Sequence, residues 1–163
     1  MPYATPSDLL ILGADQLAQL AEPDDAAVTG DLLRATIDGA DRSAWSAEDR
    51  TLADEALGRI VKEISSASAR IDSYLAPRYP LPLSAELVAG ADLRRVCTDL
   101  VWYRLHVGEP PKHVADRHRD HIAWLLDVSR GRASLGAQDT ATAAPDGRVV
   151  ARSGVSRIDW TRF

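Results

Sequence analysis

The stretch Ala47–Leu75, AEDRTLADEALGRIVKEISSASARIDSYL, decides the fold. Leu52, Ala56, Ile60, Ile64, Ala67, Ile71 and Leu75 recur in it at spacings of three and four, which places them on one face of an α-helix. Asp54, Arg59, Lys62, Glu63 and Arg70 fall mostly elsewhere on the cylinder. Ser46 followed by Asp49 makes a capping box with the shorter acid in place of Glu, which sets the start. Pro77, Pro80 and Pro82 set the stop and enforce an extended segment, because proline lacks a backbone donor and disfavours helix in the residue before it. Unbroken, such a helix is about 40 Å long.

Toward the N-terminus, Pro6, Ser7 and Asp8 open a short helix carrying Leu9, Leu10 and Leu12, which Gly13 ends. A second short piece covers about 15–21. Residues 23–30 read as loop, and 31–40 as a helix with Leu32, Leu33 and Ile37, weakened by Thr36 and Gly39. Toward the C-terminus, a short piece at 84–89 precedes a helix over about 92–107, with Leu93, Val96, Cys97, Leu100, Arg104 and Val107 along one side. It ends before Gly108 and the Pro110–Pro111 pair. The last long helix spans about 112–130, with Val114, His118, His121, Ile122, Leu125, Leu126 and Ser129 on one side and Gly131 placed as its C-terminal cap. No alternating pattern of useful length competes. The expectation is an all-α helical bundle of about four to five helices with a proline-rich turn and an extended C-terminal arm.

Residues 1–136 form the expected helical domain, with an acidic stretch at about 32–55. Residues 137–163 form a flexible linker and an arm, because composition after Gly136 shifts to Ala, Thr, Gln, Asp, Pro and Gly. Residues 148–163 hold Val149, Val150, Val155, Ile158, Trp160 and Phe163, with 4 Arg against 1 Asp. An apolar, basic end on a tether reads as an arm that pairs with something, as a strand added to a neighbour does, or that packs back on its own domain.

A chain of 163 residues, 45% hydrophobic and 26% charged, has the composition of one globular domain with a true core. No run approaches the roughly 20 apolar residues of a membrane span. The N-terminus lacks a basic region followed by an apolar segment, so the expected place of synthesis and residence is the cytoplasm of the cell that makes it. Cys97 is the single cysteine, which excludes an internal disulfide, and its neighbours Val96, Leu100 and Val101 make it a core thiol. The net charge of −5 argues against indiscriminate nucleic-acid binding. It is unevenly spread: residues 1–55 hold 12 acids and 3 bases, whereas 56–163 hold 12 acids and 16 bases. Either these are solvated faces, or an acidic face of one subunit meets a basic face of the next, a head-to-tail contact that closes rings.

No Gly-rich phosphate loop, paired CxxC, HExxH or Gly-x-Ser-x-Gly elbow is present, so no enzyme activity, catalytic residue or cofactor is expected. His118 and His121, three apart and flanked by His113, Asp116 and Asp120, share a helix face as metal ligands do. The plainer alternative is hydrogen-bonded packing at a helix–core boundary, and His106 has no ligand partner nearby in sequence. Trp45, Trp102, Trp124 and Trp160 are either stacking platforms for single strands or core residues; placement on helices favours packing for Trp102 and Trp124. Arg94–Arg95 and Arg117-x-Arg119 are short basic clusters, either salt-bridged surface or the footprint of a nucleic-acid-binding or regulatory module.

Several segments, in order, carry a resemblance: Tyr3-Ala4-Thr5 with Asp8-Leu9; Ile71-Asp72-Ser73-Tyr74-Leu75 with Arg78-Tyr79 and Leu81-Pro82-Leu83; Asp99-Leu100 with Tyr103-Arg104-Leu105; and a final helix leading to Gly131 and Leu135-Gly136. This series resembles the Mu-like phage neck proteins, head-tail connector or head-completion subunits related to the helical adaptors beneath portal rings. The tail, Arg157 to Phe163, resembles the Phe-terminated ends of that family. Departures are Ile11-Leu12-Gly13 where the family commonly has Arg-Phe-Gly, and a longer span between Leu20 and Ile71, an insertion near 32–55. The resemblance implies a virion protein at the head-tail interface, made in the bacterial cytoplasm and monomeric before assembly. It further implies a homo-oligomeric, dodecameric ring on the portal protein that contacts other neck or tail-completion proteins. Such a ring extends the DNA channel without reading sequence, offers a tail docking surface and touches no membrane. The expected interface residues are Arg78 and Tyr79 in the turn and Trp160 and Phe163 in the arm.

Overall fold

The computed structural model describes residues 2–21 and 28–136. Among them the backbone forms α1 (Pro6–Leu9), a 3-10 turn (Leu10–Leu12), α2 (Ala14–Ala21), α3 (Gly30–Asp38), α4 (Ala47–Leu75), α5 (Ala85–Gly90), α6 (Leu93–Leu105) and α7 (Lys112–Ser129), and no strand. The protein is all-α. Five of these helices make the bundle, with α4 packed against α2, α3, α6 and α7. The short α1 and α5 bring the helix count above the expected four to five. Residues 22–27, which include most of the expected loop at 23–30, and 137–163, the expected linker and arm, lie outside the described residues.

α4 forms where its pattern places it. Ser46 Oγ accepts from the Asp49 amide at 3.1 Å and Asp49 Oδ2 accepts from the Ser46 amide at 3.3 Å, so the shorter acid completes the box. Ala56, Ile60, Ile64, Ala67, Ile71 and Leu75 are buried; Leu52 is half-buried, and Ala53 takes the covered position beside it. Each fully buried Ile or Leu contributes about 1.5–3 kcal/mol relative to exposure. α6 is buried over more of its circumference than one stripe, through Leu93, Val96, Cys97, Leu100, Val101, Trp102 and Leu105, because α1, α4 and α7 all pack on it. It stops at Leu105, so Val107, expected on the covered side, lies beyond it and is 73% exposed.

Two glycines shape the N-terminal half. Gly39, at φ 65°, is the left-handed cap that ends α3 rather than an interior weakness. Thr36 donates its hydroxyl to the Leu32 carbonyl at 2.8 Å, which satisfies it inside the helix. Gly30 allows α2 and α3 to meet end to end: its amide donates to Asp15 Oδ1 at 3.1 Å, and a Cβ there would stand 2.6 Å from the Asp15 backbone nitrogen.

The segment before α1 is strapped onto α4. The Tyr3 amide donates to Ser68 Oγ at 3.1 Å, and the Tyr3 hydroxyl donates to Asp72. Burial, then the bond to Asp72 and its charge, push the Tyr3 phenol well above its ordinary value. Cys97 lies beneath the strap, fully buried, with Sγ 3.6 Å from Ser68 Oγ. Burial raises the thiol's pKa, which makes it an inert core thiol.

Candidate functional site

The proline-rich turn locks the end of α4 onto the end of α7. The Arg78 and Tyr79 amides both donate to the Leu75 carbonyl at 2.9 Å, so the chain curls back immediately after the helix. That places the Arg78 guanidinium against the last turn of α7, where Nη1 donates to the Val128 carbonyl at 3.2 Å and the Ala133 carbonyl at 2.9 Å. A helix C-terminus presents unpaired carbonyls and partial negative charge, so a cation is held well there. Gly131, at φ 74°, turns the chain beneath the same guanidinium, and the Arg132 amide reaches back to the Asp127 carbonyl at 2.8 Å in a Schellman closure. Arg78 also lies over the Tyr79 ring, 5.4 Å from its centroid. Tyr79 is only 3% exposed. Two of the four expected interface residues thus act inside the domain; Trp160 and Phe163 lie outside the described residues.

A second polar cluster joins α6 to α7, and sequence reasoning missed its centre. Asp99, 6% exposed, accepts from His121 Nε2 at 2.8 Å and from Arg117 Nη1 at 3.3 Å. Burial alone would raise its pKa. The hydrogen bond from His121, with the charges of His121, Arg117 and Arg95, outweighs burial and holds the carboxyl below its ordinary value. The signal available was an acid inside the apolar run Val96-Cys97-Thr98-Asp99-Leu100-Val101-Trp102. Beside it a cavity of about 50 Å³ is lined by Gln16, Asp99, Trp102, His113, Val114 and Arg117. Among the described residues, Trp102 Nε1 is buried without a hydrogen-bond partner.

The histidines part company. His118 stacks on Tyr103 with centroids 3.8 Å apart and planes 16° apart, while His121 binds Asp99. Burial first, then the charges of Arg70, His121 and Arg104, push the His118 pKa down and favour a neutral, packed ring. Among the described residues no three His, Cys, Asp or Glu side chains stand in a metal-ligating group. Trp102 is in the core and Trp45 and Trp124 pack partly against it. The two basic clusters divide: Arg94, Arg95 and Arg117 line one groove with Asp8, Asp92 and Asp99, whereas Arg119 pairs with Asp116 at 2.9 Å.

These arrangements define an all-helical bundle protein whose polar side chains tie one helix to another. The chain belongs to the phage protein family described as Bacteriophage Mu, Gp36, whose family model it matches over residues 3–152. It is 34% identical to Gene product J of Escherichia phage Mu over 84 residues, 52% of this chain and 57% of that protein, so the match spans little more than half of that relative. It is also 34% identical to the Mu-like prophage FluMu protein gp36 of Haemophilus influenzae over 108 residues, 66% of this chain and 72% of that protein.

Proposed function

We propose that this protein is a structural virion protein, a head-tail connector subunit that forms a ring on the phage portal, extends the DNA channel and offers the tail its docking surface. The observation that carries the reading is membership of a phage Mu family along nearly the whole chain. The architecture suits such a part: a bundle in which Arg78 ties the end of α4 to the end of α7, and Asp99 ties α6 to α7, keeps its faces fixed while neighbours bind. In this reading the partners are the portal protein, other neck or tail-completion proteins and further copies in a dodecameric ring, and the subunit catalyses nothing. It travels from the host cytoplasm to the virion neck. The test is electron microscopy of particles from the parent phage or prophage with this gene deleted, and again after complementation. Packed or leaking heads without tails, beside free tails, are expected; normal tailed particles would sink the connector role.

A second reading, a small nucleic-acid-binding or regulatory module, draws on Arg94, Arg95 and Arg117 sharing one groove. It requires the isolated protein to bind duplex DNA with an affinity that falls steeply with salt.

A further inference from the structure

We propose that the groove between the end of α1 and α6 receives the acidic α3–α4 corner of a second copy of this chain, an inference that rests on the ring reading above. The groove, about 370 Å³, is lined by Asp8, Ile11, Arg94, Arg95, Thr98 and Arg117, with Asp92 and Asp99. Ile11 stands 84% exposed in it, the most exposed large apolar side chain among the described residues. Arg117 is committed to Asp99. Arg94 is 74% exposed and only 3.8 Å from Asp8, whose carboxylate already accepts from the Thr5 amide and hydroxyl. Arg95 is exposed and makes no ion pair among the described residues. The groove therefore offers two outward guanidinium groups beside one bare apolar side chain.

The complementary charge lies on the same molecule but out of reach. Arg42 binds Asp54 at 2.6 Å and Thr36 at 3.2 Å, gathering the end of α3 and the start of α4 into one corner. Around it Asp38, Asp41, Glu48 and Glu55 are exposed. The groove lies level with the other end of α4, where Tyr3 binds Asp72 and Ser68 meets Cys97 of α6. Asp54 and Asp72 are both on α4, about 27 Å apart along its axis. The corner cannot fill its own groove, so only a neighbour can bring them together. A contact between two different surfaces is head-to-tail and, where its rotation closes, repeats around a ring. Asp8, Asp92 and Asp99 interrupt the positive charge, which suits a protein partner of mixed character better than a continuous phosphate backbone.

The experiment uses the full chain in three forms: Arg94→Glu with Arg95→Glu, Asp38→Lys with Glu55→Lys, and all four changes together. Each is read by sedimentation velocity and by rescue of tailed particles in the deletion phage. Either pair of reversals should cut self-association and rescue at least about tenfold, and the four together should restore both. Reversals that behave like wild type, or a four-fold variant no better than either pair, overturn the contact. So does duplex DNA binding that Arg94→Glu with Arg95→Glu abolishes while self-association is unchanged. Tailless heads on deletion with neutral reversals keep the connector reading and sink this contact alone. Normal particles on deletion sink the connector reading, and sedimentation still decides the contact.

Discussion

Arg78 and Asp99 act as single-residue clamps, and each makes a measurable prediction. Arg78→Ala removes a charged donor from one carbonyl in the last turn of α7 and one in the segment just beyond it, so unfolding in urea should show a loss of about 1.5–3 kcal/mol with the m-value unchanged. Asp99 is held below its ordinary pKa in the folded protein by His121 and Arg117. A depressed carboxylate contributes stability that is complete above its unfolded value and is lost as pH falls through the folded value. The melting temperature of the wild type should therefore fall across this acidic window, and Asp99→Asn should start lower at neutral pH and show a flatter acid limb. An Asn variant with the same acid slope would assign that slope elsewhere. At this scale the sequence was a partial guide. Arg78 and Tyr79 stood out through the resemblance, but the carbonyls that hold Arg78 lie 50 and 55 residues further along the chain, and nothing local names them.

Helix starts and stops were legible because their signals are local. Ser46 with Asp49 opens α4 and Gly131 closes α7, as capping chemistry requires. Gly39 was read as a weakness inside a helix because its φ is invisible in sequence; at φ 65° it is the stop itself. How two elements meet was not legible. Gly30 looks like an ordinary loop-to-helix glycine, yet it lies against the Asp15 backbone. Gly30→Ala must push α2 away from α3, and about 1–3 kcal/mol of lost stability is the expected penalty of overpacking. Chemical denaturation checks it; an unchanged midpoint would mean that α2 shifts freely.

Across the whole molecule the described core closes at Leu135, 3% exposed, with Ala133 tied to Arg78. A chain ending at Gly136 should therefore keep its helical circular dichroism and cooperative melting. If the arm carries the expected contacts through Trp160 and Phe163, that chain should fail to rescue tailed particles. Loss of cooperative melting would instead make 137–163 part of the fold. By itself the sequence determined the all-α class, the position of the helices and the burial of Cys97, because helical periodicity, caps and proline stops act within a few residues. The family is likewise written in short segments of the chain. Only the tertiary structure decided that Asp99 is a buried anchor, that His118 and His121 take different partners, and that Arg94, Arg95 and Arg117 share a groove far from the acidic corner. Those outcomes depend on which helix faces which, and that choice is made by packing across the whole core rather than by any local run of residues.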